Sequence, residues 1–135
     1  MRTLFVFLMS AFLTQAAVAT TYCHYPPGAY YVEGDNKREW IMTASKYRKI
    51  LNPTQTKPTT SCAVNFSNLG PINRLSIIKK PTLNTADTWR GYQVNYKAIK
   101  TGNDSMSVEI DWFDRSNNLR KGVVHYDIKV VDHDL

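Results

Sequence analysis

The sequence predicts a single all-β domain of the sandwich class. Three observations carry this reading. Three long segments alternate between apolar and polar residues at every step, which is the signature of half-buried strands. Turn-forming residues separate about six to eight short strand-like runs, as in a two-sheet sandwich. No segment keeps convincing helical spacing over a helix-length window. The chain has 135 residues, 43% of them hydrophobic, which suits one core and excludes wholesale disorder.

The first residues read as an address. Arg2 gives a short positive region, residues 4–13 form an apolar run, and Ala17-Val18-Ala19 places small residues at a cleavage site. This pattern predicts a signal peptide over residues 1–19, with Thr20 as the mature N-terminus. A lipoprotein anchor is excluded because Tyr22, not a small residue, precedes Cys23. The apolar run is too short to span a bilayer, so no stable membrane insertion is expected after cleavage. The expectation is an exported protein, periplasmic or secreted.

Residues 20–36, with Pro26-Pro27-Gly28, read as an extended leader, and residues 37–135 as the folded domain. Trp40 and Met42 alternate over residues 38–43, which predicts a strand. Ala44, Tyr47 and Leu51 also fit helical spacing, and residues 47–51 are left as either strand or short turn. Residues 52–58, rich in Pro and Thr, form a loop. Residues 62–66 and 75–78 read as short strands split by Asn68-Leu69-Gly70-Pro71. Over residues 92–98 the positions Tyr92, Val94, Tyr96 and Ala98 share one face. Over residues 105–113 Met106, Val108, Ile110 and Trp112 do the same. Over residues 123–131 the set is Val124, Tyr126, Ile128 and Val130. The last two strands are expected to pair through residues 114–122. Pairing Asp114 with Gly122 would set Asp111 opposite His125 and Glu109 opposite Asp127.

From about Cys62 onward the chain resembles the small bacterial secreted Ig-like, cadherin-like domains. The residues that carry the likeness are the strand over 75–81 ending in Lys79-Lys80-Pro81, the strand over 92–96 ending in Tyr96, and the turn Thr101-Gly102-Asn103-Asp104-Ser105. The two closing strands complete it. The resemblance implies an Ig-like antiparallel β-sandwich and an adhesive or structural role. The chain departs from the pattern at Leu83-Asn84-Thr85-Ala86, where the family carries a glycine, and at Asn103.

Two cysteines, Cys23 and Cys62, lie beyond the signal. Export to an oxidising compartment predicts a disulfide between them. It would close a loop of about forty residues, which chain entropy values at about 4 kcal/mol.

Lys and Arg outnumber Asp and Glu by 17 to 11, a net charge of +6. The cations crowd the first half, and Arg38, Lys46, Tyr47, Arg48 and Lys49 form the candidate binding patch, exposed and polar in this reading. Such a patch suits an acidic protein or an envelope polymer; export argues against nucleic acid. Asp111 and His125 are the candidate pair for acid–base or metal chemistry, in the manner of a small hydrolase or metal-dependent enzyme. The more economical reading is a solvent-facing cross-strand pair. No glycine-rich phosphate loop, HExxH helix or GxSxG elbow occurs, so neither a cofactor nor a catalytic set is expected. The expected function is non-enzymatic binding of an envelope or extracellular protein or polymer. The alternative within binding roles is an inhibitor or immunity-type protein that blocks an enzyme with a loop.

Overall fold

The computed structural model describes residues 22–24 and 32–135. The expected signal peptide and the Pro26-Pro27-Gly28 segment lie outside the described residues. Among the described residues there are eight strands: β1 (Cys23–His24), β2 (Gly34–Thr43), β3 (Ser61–Asn65), β4 (Ile72–Lys79), β5 (Thr85–Trp89), β6 (Gln93–Lys97), β7 (Gly102–Phe113) and β8 (Leu119–Val131). They form a five-stranded sheet, β1-β2-β8-β7-β4, and a three-stranded sheet, β3-β6-β5. Alternation decides which side chains meet between them. Trp40, Met42, Val108, Ile110, Val124 and Tyr126 point from the larger sheet onto Val64, Val94 and Tyr96 of the smaller one.

Counted from β2, the sheets hold strands 1-7-6-3 and 2-5-4. The first of these strands pairs with the last. That pairing corrects one expectation. β2 runs parallel to β8, from Gly34 opposite Gly122 to Thr43 opposite Val131, so the sandwich is not antiparallel throughout. β2 also begins at Gly34, inside the segment read as leader. The close approach at its start depends on Gly122, where an added Cβ would collide with the carbonyl oxygen of Val32.

The final hairpin has the expected faces and a different register. Asp111 lies opposite Lys121, and His125 lies opposite Ser107, four residues from the expected pairing. The cause is a tighter turn. Asp114 Oδ1 accepts the backbone N–H groups of Ser116 and Asn118, both at 2.9 Å, and Asn117 takes a left-handed φ of 59°. An even slip leaves every apolar residue on its own face, so alternation cannot detect it. A further strand, β5, covers residues to which alternation assigned no element. It is an edge strand with only Ala86 packed against the core, so it shows no apolar alternation.

The disulfide Cys23–Cys62 is present and joins β1 of the large sheet to β3 of the small one, with the Cα atoms 5.8 Å apart. A buried polar knot ties the β4–β5 connection to β7. The Asp104 carboxylate accepts the N–H groups of Thr82, Leu83 and Asn84 and the hydroxyl of Tyr96, the last at 2.7 Å.

Candidate functional site

β2 ends at Thr43 and gives way to a short 3-10 turn, Ser45–Tyr47. The chain is held there by long-range backbone bonds: Ala44 N–H to Val131 O at 2.9 Å and Ser45 N–H to Ala98 O at 2.7 Å. The next residue, Arg48, points inward. It is only 4% exposed, so it is not part of a surface patch, and the expectation that placed it there is corrected. Its guanidinium donates to the carbonyls of Thr43 at 2.7 Å, Thr59 at 3.0 Å and Ser61 at 3.4 Å, and to Cys62 Sγ at 3.2 Å. The Tyr22 ring lies beneath it, 5.7 Å from centroid to Cζ. A buried cation is tolerated here because carbonyl dipoles and an aromatic face replace water. Burial pulls its pKa down, and the nearby Tyr22 partly opposes this.

Lys49 continues the anchoring through its backbone. Its N–H donates to the Tyr22 hydroxyl at 2.6 Å, and that hydroxyl donates to its carbonyl at 3.3 Å. The Lys49 side chain stays exposed and lies 3.8 Å from Asp134, a contact of little energetic weight in solvent. Lys46 is also exposed, with Nζ 4.9 Å above the Tyr47 ring. Tyr47, Ile50 and Leu51 are 39%, 52% and 59% exposed. Three large apolar side chains within five residues thus face solvent on a segment whose backbone is anchored through Lys49.

The structure therefore keeps Lys46, Tyr47 and Lys49 together, removes Arg48 to the interior, and separates Arg38. Arg38 is half-buried in the middle of β2 opposite Tyr126. Trp40, on the same strand, is fully buried against Tyr96 and Tyr126. Ile50 and Leu51 were missed as surface residues. Their signal was an apolar pair directly before the Asn52-Pro53 loop.

The Asp111–His125 pair does not form, since Asp111 sits opposite Lys121 and Arg74. His125 instead bridges three strands. Its Nε2 is 2.7 Å from Asp35 Oδ1, and its Nδ1 is 2.7 Å from Ser107 Oγ. An ionised Asp35 can only accept, so Nε2 carries a proton; in the neutral ring Nδ1 then accepts from the Ser107 hydroxyl. The order Asp–His–Ser is chemically suggestive, but the surroundings do not serve acyl transfer. Ser107 is 5% exposed, in a strand flanked on both sides by ladder partners, so its neighbouring N–H groups are spent on the sheet rather than aimed at a developing oxyanion. The cleft on this face, about 430 Å³, is lined by Glu39, Ile41, Asn103, Asp127 and Lys129, and touches neither His125 nor Ser107. Among the described residues no group of three His, Cys, Asp or Glu side chains is placed to hold a metal ion, and no helix is long and apolar enough to cross a membrane.

Comparison with protein-family models, with curated proteins and with solved structures yields no match for this chain.

Proposed function

We propose that this chain is an exported, non-enzymatic Ig-like module of a bacterial envelope, which acts by docking onto an envelope or extracellular protein or polymer through residues 46–51. The observation that carries the reading is the exposure of Tyr47, Ile50 and Leu51 on a backbone anchored by buried Arg48 and by Tyr22. Anchoring lowers the ordering cost of binding, and exposed apolar side chains supply the burial on contact. Lys46 and Lys49 border them and favour a partner with acidic groups beside an apolar surface. Export is supported by the signal-like N-terminus and by a disulfide. A loop that presents side chains from an anchored base is also what an enzyme-blocking inhibitor needs, so a protein partner is the first to seek.

The test compares immobilised mature protein with a Tyr47→Ser/Ile50→Ser/Leu51→Ser variant. Both are exposed to envelope extract and to isolated cell-wall polymer, and bound protein is identified by mass spectrometry. The reading expects one specific partner that the triple variant loses and that His125→Ala retains. Equal capture by the wild type and the triple variant would sink it.

A further inference from the structure

The opposite end of the sandwich carries a second feature. Here the β3–β4 connection, with its 3-10 turn Ser67–Leu69, meets the turn between β5 and β6. Between them opens a cleft of about 350 Å³, lined by Ser67, Asn73, Arg74, Arg90 and Tyr92 together with backbone around Gly70. Its lining includes two arginines and no Asp or Glu. Neither arginine forms an ion pair among the described residues.

Arg90 is held in place with some effort. It adopts a left-handed φ of 52°, followed by Gly91 at 73°, a conformation that a non-glycine residue takes at a cost and that recurs at functional sites. Its guanidinium stacks 4.4 Å over the Trp89 ring, and Trp89 is itself braced edge-on by Tyr92 at 5.8 Å. A guanidinium held over an aromatic ring keeps N–H donors for a carboxylate. Arg74 approaches from β4, an edge strand that follows a register shift between Ile72 and Arg74.

We infer that this cleft binds an acidic glycan, with Arg90 and Arg74 taking a sugar carboxylate and the Tyr92 side chain lying against the ring. A pocket of this size suits about one or two sugar units. The C–H face of a pyranose packs on an aromatic ring, while the Asn73 amide and Ser67 hydroxyl can meet neutral hydroxyl groups. An extended acidic peptide fits less well. It would have to add along the β4 edge, and register shifts at both ends, Ile72/Arg74 and Ile77/Lys79, leave only a short regular stretch to pair with.

The site is independent of residues 46–51, and so is its test. Calorimetric titration with a trimer of galacturonic acid should give saturable binding that weakens as salt rises. A neutral glucose trimer should give none. Arg90→Gln and Arg74→Gln should each weaken binding about tenfold, as expected for losing a charge-assisted hydrogen bond, whereas Lys46→Glu/Lys49→Glu should leave it unchanged. Both arginines lie on the surface, and a near-ultraviolet circular dichroism spectrum matching the wild type verifies that the variants fold. Unchanged uronate affinity in the Arg74→Gln/Arg90→Gln double variant overturns the inference. So does an absence of uronate binding by the wild type, whether or not a glutamate-rich peptide binds in its place.

Discussion

Arg48 Nη2 lies 3.2 Å from Cys62 Sγ, which sets a buried guanidinium against the disulfide that ties the two sheets together. The same side chain collects carbonyls from Thr43, Thr59 and Ser61. One cation thus gathers the end of β2, the loop before β3 and the start of β3. A residue that composition assigns to the surface here serves as a brace.

Arg48→Ala should therefore destabilise the fold by about 2–4 kcal/mol, because buried carbonyls lose their donor. Arg48→Lys should recover little, since a point cation cannot reproduce the planar fork. Lys49→Ala, at an exposed side chain, should change stability by less than about 0.5 kcal/mol. Urea denaturation midpoints measure all three, and equal midpoints for Arg48→Ala and Lys49→Ala would remove the brace from the account.

The Cys23–Cys62 bridge closes a loop with a sequence separation of 39. Replacing both cysteines with Ser should cost about 2–5 kcal/mol. β1 should loosen first, because it holds only two residues against β2. Hydrogen exchange at Thr43, whose N–H donates to Tyr22 O at 2.8 Å, should rise well before exchange in β7. Uniform exchange through both strands would contradict this order.

Trp112 is 6% exposed, on the core face of β7. Trp112→Ala should destabilise by about 3–5 kcal/mol, through lost burial and the cavity left behind. Thermal melting gives the value, and near-native stability would be incompatible with the face assigned to this strand.

Acid sensitivity should centre on Asp104. Burial pushes its carboxyl up, but hydrogen bonds from Tyr96 and from the N–H groups of Asn84, Thr82 and Leu83 outweigh that and hold it below the usual range. A carboxyl with a lowered folded-state pKa stabilises the fold above its unfolded value, about 3.9. That contribution is lost as pH falls through the folded value. Stability measured from pH 6 downward should thus begin to fall near pH 4, and Asp104→Asn should be less stable at pH 6 with a flatter acid limb. Parallel acid limbs for the two proteins would place the sensitive group elsewhere.

Gly122→Ala tests the approach of the chain before β2 to β8. A Cβ at this position meets Val32 O, so one backbone must move, and a loss of about 1–3 kcal/mol is expected. An unchanged melting temperature would show that the strand start adjusts freely.

Alternation in the sequence determined which residues of β6, β7 and β8 enter the core, because side-chain direction in a strand is a local property of the backbone. The cysteine pair was legible for a similar reason: only two partners exist, and compartment chemistry favours joining them. What tertiary structure decided is everything that depends on a distant partner. The parallel pairing of β2 with β8 brings together residues remote in sequence. The hairpin register turns on how Asp114 closes its loop, and a slip by an even number of residues leaves no mark on the pattern. β5 is nearly invisible because an edge strand with one core residue has no alternation to read. Arg48 and Lys49 are adjacent cations with equal claims to the surface. Only the converging carbonyls of Thr43, Thr59 and Ser61 take one of them inside, since a charge leaves water only where other dipoles replace it.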